Sequence, residues 1–123
     1  RGLNTIYVIR VEDIRLCHLG DLGQVKLTDE QVEAIGDVDI LFIPVGGKYT
    51  IDSKEAADIV RQVEPKIIMP MHYKTDVLTI KGLASVEAFL AEKPNVRYAT
   101  SNTLLLTGVK DRAAAEVVVL PYR

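Results

Sequence analysis

The stretch Asp39-Ile40-Leu41-Phe42-Ile43-Pro44-Val45 is a nearly continuous run of apolar residues, and Gly46-Gly47 ends it. Such a run is typical of a central strand in a parallel sheet, because both faces of that strand are buried. A glycine pair directly after it predicts a loop that adopts unusual backbone angles or comes close to a ligand. The stretch therefore predicts an α/β fold with this strand at the centre of the sheet.

Helix signals lie on both sides of this strand. Thr28-Asp29-Glu30-Gln31 has the spacing of a capping box and predicts a helix that ends near Gly36. After the strand, Asp52 or Ser53 can cap a second helix. Apolar residues then recur at helical spacing and predict its buried stripe: Ala56, Ile59, Val60 and Val63. A third helix is expected over Leu83–Glu92.

The other apolar segments predict further strands. Thr5–Val11 and Ile14–Cys17, separated by the turn Glu12-Asp13, are expected to form a β-hairpin. Lys66–Pro70 predicts another buried strand. Three short strands are expected near the end of the chain: Val96–Ala99, Thr103–Thr107 and Glu116–Leu120. This order predicts one mixed sheet with helices packed on it.

The composition is that of a soluble globular domain. The 123 residues, of which 48% are hydrophobic and 26% charged, suffice for one domain with a core of its own. A net charge of −2 without long runs of one sign gives no reason to expect nucleic acid or an anionic membrane as partner. No apolar stretch is long enough to predict a transmembrane helix. The single cysteine, Cys17, is expected to be a small buried hydrophobe, and it fits a reducing, cytoplasmic location.

Two side chains that can bind metal directly follow predicted strands. Asp21 lies in a glycine-flanked loop after the hairpin, and His72 comes just past the strand Lys66–Pro70. Open α/β sheets bind ligands at the carboxyl ends of their strands, and Zn²⁺ accepts both carboxylate and imidazole ligands. The alternatives are an aspartate that hydrogen-bonds its own turn and a hydrogen-bonded histidine with no ligand. His18, three residues before Asp21, either packs on the sheet or orients the loop without touching the metal.

These residues do not complete a zinc site. A catalytic zinc usually has three protein ligands and water, whereas this chain has two histidines, one cysteine and no H-x-H or H-E-x-x-H cluster. The remaining ligands must then come from elsewhere. The sequence also contains no G-x-S-x-G, G-x-x-x-x-G-K-[ST] or G-x-G-x-x-G motif, which disfavours the corresponding hydrolase and nucleotide-binding classes.

The order of the motifs resembles the metallo-β-lactamase superfamily, and within it the branch of zinc-dependent hydrolases related to L-ascorbate-6-phosphate lactonase. The segments that carry the resemblance are His18–Gly23, Leu41–Gly47, Thr50–Asp52 and Pro70–Thr75. The resemblance implies a four-layer αβ/βα sandwich with metals at one edge of two facing sheets. It makes Asp21 the metal-bridging aspartate and His72 the last histidine ligand, both catalytic, and it assigns no ligand role to His18. Gly46, Gly47 and Lys74 would border the mouth of the site and bind substrate.

The family's H-x-H-x-D-H motif is absent from this chain. Residues 1–123 are therefore expected to be the C-terminal half of such a hydrolase domain, and the start at Arg1 rather than Met agrees with this. The half-sandwich is expected to expose an apolar sheet face that docks the missing N-terminal half or a second copy. On its own the chain is expected to be inactive.

The predicted activity is hydrolysis of a small-molecule substrate. One or two divalent cations, Zn²⁺ or an alternative such as Mn²⁺, would activate water for attack on an ester, lactone, amide or phosphodiester. A non-catalytic α/β binding or structural module, in which Asp21 and His72 are structural, is the alternative. A regulatory domain that binds a small molecule at Gly46-Gly47 is a third interpretation. An H-x-H-x-D-H motif upstream would favour the hydrolase over the non-catalytic module, whereas ligand-induced thermal stabilisation without metal would favour the regulatory domain.

Overall fold

A six-stranded mixed sheet forms the centre of the computed structural model, which describes residues 4–47, 50–71, 86–90, 95–99 and 115–120. The strands are β1 (Tyr7–Val11), β2 (Ile14–His18), β3 (Ile40–Pro44), β4 (Ile67–Met71), β5 (Val96–Tyr98) and β6 (Glu116–Val119). Their order across the sheet is β1-β2-β3-β4-β6-β5, and the β1–β2 pair is antiparallel while the others are parallel. The predicted mixed α/β sheet is confirmed.

The first two strands form the predicted hairpin. Its two-residue turn at Glu12-Asp13 places Glu12 in the left-handed region, with φ 55°, as tight hairpin turns require. The turn fixes a register in which Val11 pairs with Ile14 and Tyr7 pairs with His18.

Strands β2, β3 and β4 end at one edge of the sheet. His18 pairs with Phe42, and Pro44 pairs with Met71, so the carboxyl ends of β2, β3 and β4 lie side by side. β3 is buried along most of its length, as its unbroken apolar sequence predicts. This edge is where α/β sheets carry their ligand sites.

Three helices connect or flank these strands: α1 (Asp29–Ile35), α2 (Ser53–Val63) and α3 (Glu87–Leu90). The predicted capping box forms between Thr28 and Gln31, and Asp52, one of the two predicted N-caps of α2, forms a second capping box with Glu55. α1 ends at Gly36 as predicted, and the buried residues of α2 include Ala56, Ile59 and Val63. The predicted strand Thr103–Thr107 lies outside the described residues.

The two faces of the sheet differ in their cover. The larger core cluster joins Cys17, Leu41 and Ile68 of the sheet to residues of all three helices, among them Ile35, Ile59 and Phe89. The opposite face carries a smaller cluster, built around Ile40, Ile67, Met69 and Val118. Exposed apolar side chains concentrate on β1, where Tyr7, Val8, Ile9 and Val11 are 38% to 56% exposed.

Among the described residues, no helix has both the length and the apolar character needed to cross a membrane.

Candidate functional site

The loop that follows β2 carries Asp21 at its surface. Leu19 and Leu22, on either side of Asp21, are buried in the larger core cluster, while Asp21 itself is exposed. The Leu22 carbonyl accepts a hydrogen bond of 2.8 Å from the Ile51 N–H, which ties this loop to the segment that leads into α2. The flanking leucines thus anchor the backbone on both sides of the carboxylate.

Asn4 fastens the same loop to the start of the hairpin. Its Nδ2 donates to the Leu19 carbonyl at 2.6 Å, and its Oδ1 accepts from the Asp21 N–H at 3.0 Å. Gly20 lies between these two bonds with φ +62°, and a Cβ there would stand 2.7 Å from Asn4 Oδ1. Asn4 was not among the residues predicted from the sequence, although a signal for it was present. Extending the β1–β2 register beyond the Tyr7–His18 pair sets Asn4 opposite Asp21.

His18 holds the loop from the strand side. Its Nδ1 accepts a hydrogen bond of 3.1 Å from the Gly20 N–H, and its ring lies 5.6 Å from that of Phe42. A nitrogen that accepts a hydrogen bond carries no proton, so this contact assigns the neutral tautomer with the proton on Nε2. Nδ1 is therefore engaged with the backbone and is not free to bind a metal.

Asp21 stands at the rim of an open cleft. The cleft has a volume of about 590 Å³ and lies between the start of β1 and the loop after β2. The residues that line it are Asn4, Thr5, Tyr7, His18, Gly20 and Asp21. Most of these side chains can donate or accept hydrogen bonds, so the cleft offers a polar ligand several contacts next to a carboxylate.

Gly46 and Gly47 follow β3 at the same edge of the sheet. Gly46 forms an isolated antiparallel bridge with Asp52, the N-cap of α2. Gly47 has φ +79°, and a Cβ there would stand 3.0 Å from Asp52 Cβ. The turn into α2 therefore requires glycine at position 47 for steric reasons, which accounts for this residue whether or not substrate contacts it.

Two of the predicted site residues, His72 and Lys74, lie outside the described residues. The described part of β4 ends at Met71, whose carbonyl accepts from the Val45 N–H at 3.0 Å at the edge shared with β2 and β3. The described ranges contain no group of three or more His, Cys, Asp or Glu side chains able to hold a metal. Among the described residues, Asp21 is an exposed carboxylate, a type of side chain that divalent cations accept as a ligand.

Cys17 takes no part in this site. It is fully buried in the core cluster, as predicted, and burial raises the pKa of its thiol to about 11, although nearby Arg15 lowers that pKa somewhat. Metals and electrophiles react with the thiolate, so a thiol that stays protonated at neutral pH is inert.

Comparison with known proteins gives a consistent family pattern. A family model described as the beta-lactamase superfamily domain matches residues 1–72. A UPF0173 metal-dependent hydrolase of Pyrococcus horikoshii is 33% identical over 69 residues, which are 56% of this chain and 31% of that protein. The matched segment thus spans about a third of the length of this curated relative.

Solved structures share the fold. A Thermotoga maritima protein of the metallo-beta-lactamase superfamily, described as a candidate zinc-dependent hydrolase, superposes with a TM-score of 0.83 at 43% identity. That match covers 94% of this chain and 57% of the other. Igni18, a metallo hydrolase of Ignicoccus hospitalis, superposes with a TM-score of 0.61 at 21% identity, covering 96% of this chain and 42% of the other.

Proposed function

Because this chain belongs to the beta-lactamase superfamily, we propose that the whole protein is a metal-dependent hydrolase that acts on a small molecule. The observation that carries this proposal is the position of Asp21, an exposed carboxylate beside a cleft at the carboxyl edge of three neighbouring strands. The names of the relatives support it, since the P. horikoshii protein is called a metal-dependent hydrolase and the T. maritima protein a candidate zinc-dependent one.

In this proposal Asp21 and His72 hold a divalent cation, preferentially Zn²⁺. The remaining ligands belong to an N-terminal half that carries H-x-H-x-D-H and packs against this half, so residues 1–123 alone are inactive. When bound, the cation supplies Lewis-acid activation of water. We also propose a cytoplasmic location, supported by a single cysteine whose side chain is buried.

The residues of this chain act by holding and orienting. Asn4 and His18 fix the backbone on both sides of Gly20, so the Asp21 carboxylate is presented to the cleft without rearrangement of its loop. Gly46, Gly47 and Lys74 border the mouth of the site and contact the substrate. The bond that is cleaved is an ester, lactone, amide or phosphodiester. Among these, the resemblance of the motifs to the lactonase branch favours a lactone.

The experiment compares Asp21→Asn with Asp58→Asn in the full-length protein. Asp21→Asn keeps the size of the side chain but removes the charge that a cation requires. Asp58 is exposed on α2 and pairs with Arg61 of the same helix, so its substitution controls for the loss of one surface carboxylate. Bound metal is measured by elemental analysis, and turnover with bis(p-nitrophenyl) phosphate and p-nitrophenyl acetate.

We expect Asp21→Asn to lose most of its bound metal and its metal-dependent turnover, while Asp58→Asn behaves as wild type. Equal metal content and equal turnover in both variants would contradict the assignment of Asp21. Such a result would favour the non-catalytic module, in which Asp21 only shapes its loop.

A further inference from the structure

The register of the sheet aligns four side chains in a row that crosses β1 to β4. Tyr7 pairs with His18, His18 with Phe42, and Phe42 with Met69. Paired residues on neighbouring strands point to the same face, so this row lies on the face opposite Cys17 and the larger core cluster. At its β1 end, Tyr7 and His18 line the cleft beside Asp21.

The two ring nitrogens of His18 have different surroundings. Nδ1 accepts from the Gly20 N–H, so the proton is on Nε2. Within the described residues, Nε2–H has no hydrogen-bond partner, and the ring is half-buried against Phe42. A partly buried donor without a partner gains free energy when a ligand supplies an acceptor.

On the basis of the proposed function, we propose that His18 is a substrate-binding residue. Its Nε2–H donates to an acyl or phosphoryl oxygen of the substrate in the cleft. A protonated nitrogen has no lone pair for a metal, so this position serves the substrate and not the cation. Tyr7, which is 56% exposed, forms the adjacent wall of the cleft. Its ring packs against an apolar group of the substrate that is attached to the acyl carbon or to the phosphorus. The substrate class is therefore an acid derivative with an apolar substituent.

Two substitutions separate this role from simple support of the loop. In His18→Asn, the amide oxygen lies near the position of Nδ1 and still accepts from the Gly20 N–H, but the distal donor is gone. In His18→Gln, the amide nitrogen lies near the position of Nε2 and still donates into the cleft, but the acceptor for Gly20 is lost. A role in loop support alone predicts that Gln is the more harmful substitution, whereas a role in substrate binding predicts that Asn is.

The probe is phenylphosphonate, which combines phosphoryl oxygens with an apolar ring. Its affinity for the zinc-loaded full-length protein is measured by calorimetry, together with zinc affinity and the ¹⁵N spectrum of the imidazole. We expect the Nε2–H tautomer in the spectrum, a loss of about tenfold in phenylphosphonate affinity in His18→Asn, and a change of less than threefold in His18→Gln. Zinc affinity should stay within threefold of wild type in His18→Asn.

The outcomes distinguish this inference from the proposed function. If wild type does not bind zinc, or if Asp21→Asn binds it equally well, the proposed function fails. If zinc binding depends on Asp21 but His18→Asn binds phenylphosphonate as wild type does, the role of His18 alone is overturned. An Nδ1–H tautomer, absence of phenylphosphonate binding to the zinc-loaded wild type, or a greater loss in His18→Gln than in His18→Asn would also overturn it.

Discussion

Substitution of Gly20 by alanine tests the anchoring of the Asp21 loop most directly. The backbone of Gly20 has φ +62°, a left-handed conformation that L-residues adopt at a cost of about 1–2 kcal/mol. The added Cβ would stand 2.7 Å from Asn4 Oδ1 and 3.1 Å from the Thr5 carbonyl oxygen. The first distance is too short for any real contact, so the Asn4 side chain has to leave.

Displacement of Asn4 breaks its bonds to the Leu19 carbonyl and the Asp21 N–H. Each contributes about 0.5–1.5 kcal/mol to stability. Together with the backbone term, Gly20→Ala is expected to lower the free energy of unfolding by about 2–5 kcal/mol. Because the total stability of a domain is about 5–15 kcal/mol, this is a large fraction of it.

A double-mutant cycle with Asn4→Ala separates the two contributions. Asn4→Ala alone is expected to cost about 1–3 kcal/mol, the sum of its two hydrogen bonds. In that background the shortest contact is gone, so Gly20→Ala should cost only the backbone term and the remaining contact with Thr5. Urea unfolding of the four proteins gives the coupling free energy. A cost below about 0.5 kcal/mol for Gly20→Ala, or the same cost in both backgrounds, would refute the anchoring by Asn4.

Two further predictions concern residues away from the cleft. Burial raises the pKa of the Cys17 thiol from 9.0 to about 11. Between these two pH values the thiol loses its proton in the unfolded chain but keeps it in the folded one. The free energy of unfolding should therefore fall by about 2–3 kcal/mol over this pH range, relative to a Cys17→Ala variant. Denaturation at pH 8 to 11 measures this, and equal pH dependence in both proteins would contradict it. Gln62 accepts from the Leu27 N–H and donates to the Leu27 carbonyl, both at 2.9 Å. Gln62→Met leaves these two groups of a buried residue without that partner and should cost about 2–4 kcal/mol in urea unfolding, and a cost below about 0.5 kcal/mol would refute the pairing.

The features that sequence predicted well are those set by neighbouring residues. The Thr28–Gln31 capping box and the N-cap at Asp52 each depend on side chains within a few positions, and the termination of α1 depends on Gly36 alone, so each can be identified in a short window. The central strand was predicted at 39–45 and forms at 40–44, since an unbroken apolar run has few alternatives in an α/β fold. The family resemblance, based on ordered motifs, identified the superfamily that the family model matches.

The features that sequence left open depend on contacts between distant segments. Asn4 is 17 residues from Asp21, and its role follows only from the exact register of the hairpin. The hydrogen bond that His18 Nδ1 accepts from the Gly20 N–H depends on the left-handed backbone conformation of Gly20. Neither composition nor hydrophobic periodicity predicts that conformation. The roles of Asp21 and His72 as ligands, and the lactonase branch, stay predictions for the metal and substrate experiments to decide.

The tight Glu12-Asp13 turn makes the candidate site sensitive to chain length at a remote point. Side chains of a strand alternate between the two faces, so a single inserted residue at this exposed tip would slip the pairing and turn Asn4 away from Asp21. A natural variant with a longer turn would then retain every residue that lines the cleft, but its Asn4 would no longer face Asp21. Homologues compared for activity should accordingly be sorted by the length of this turn as well as by the identity of their ligands.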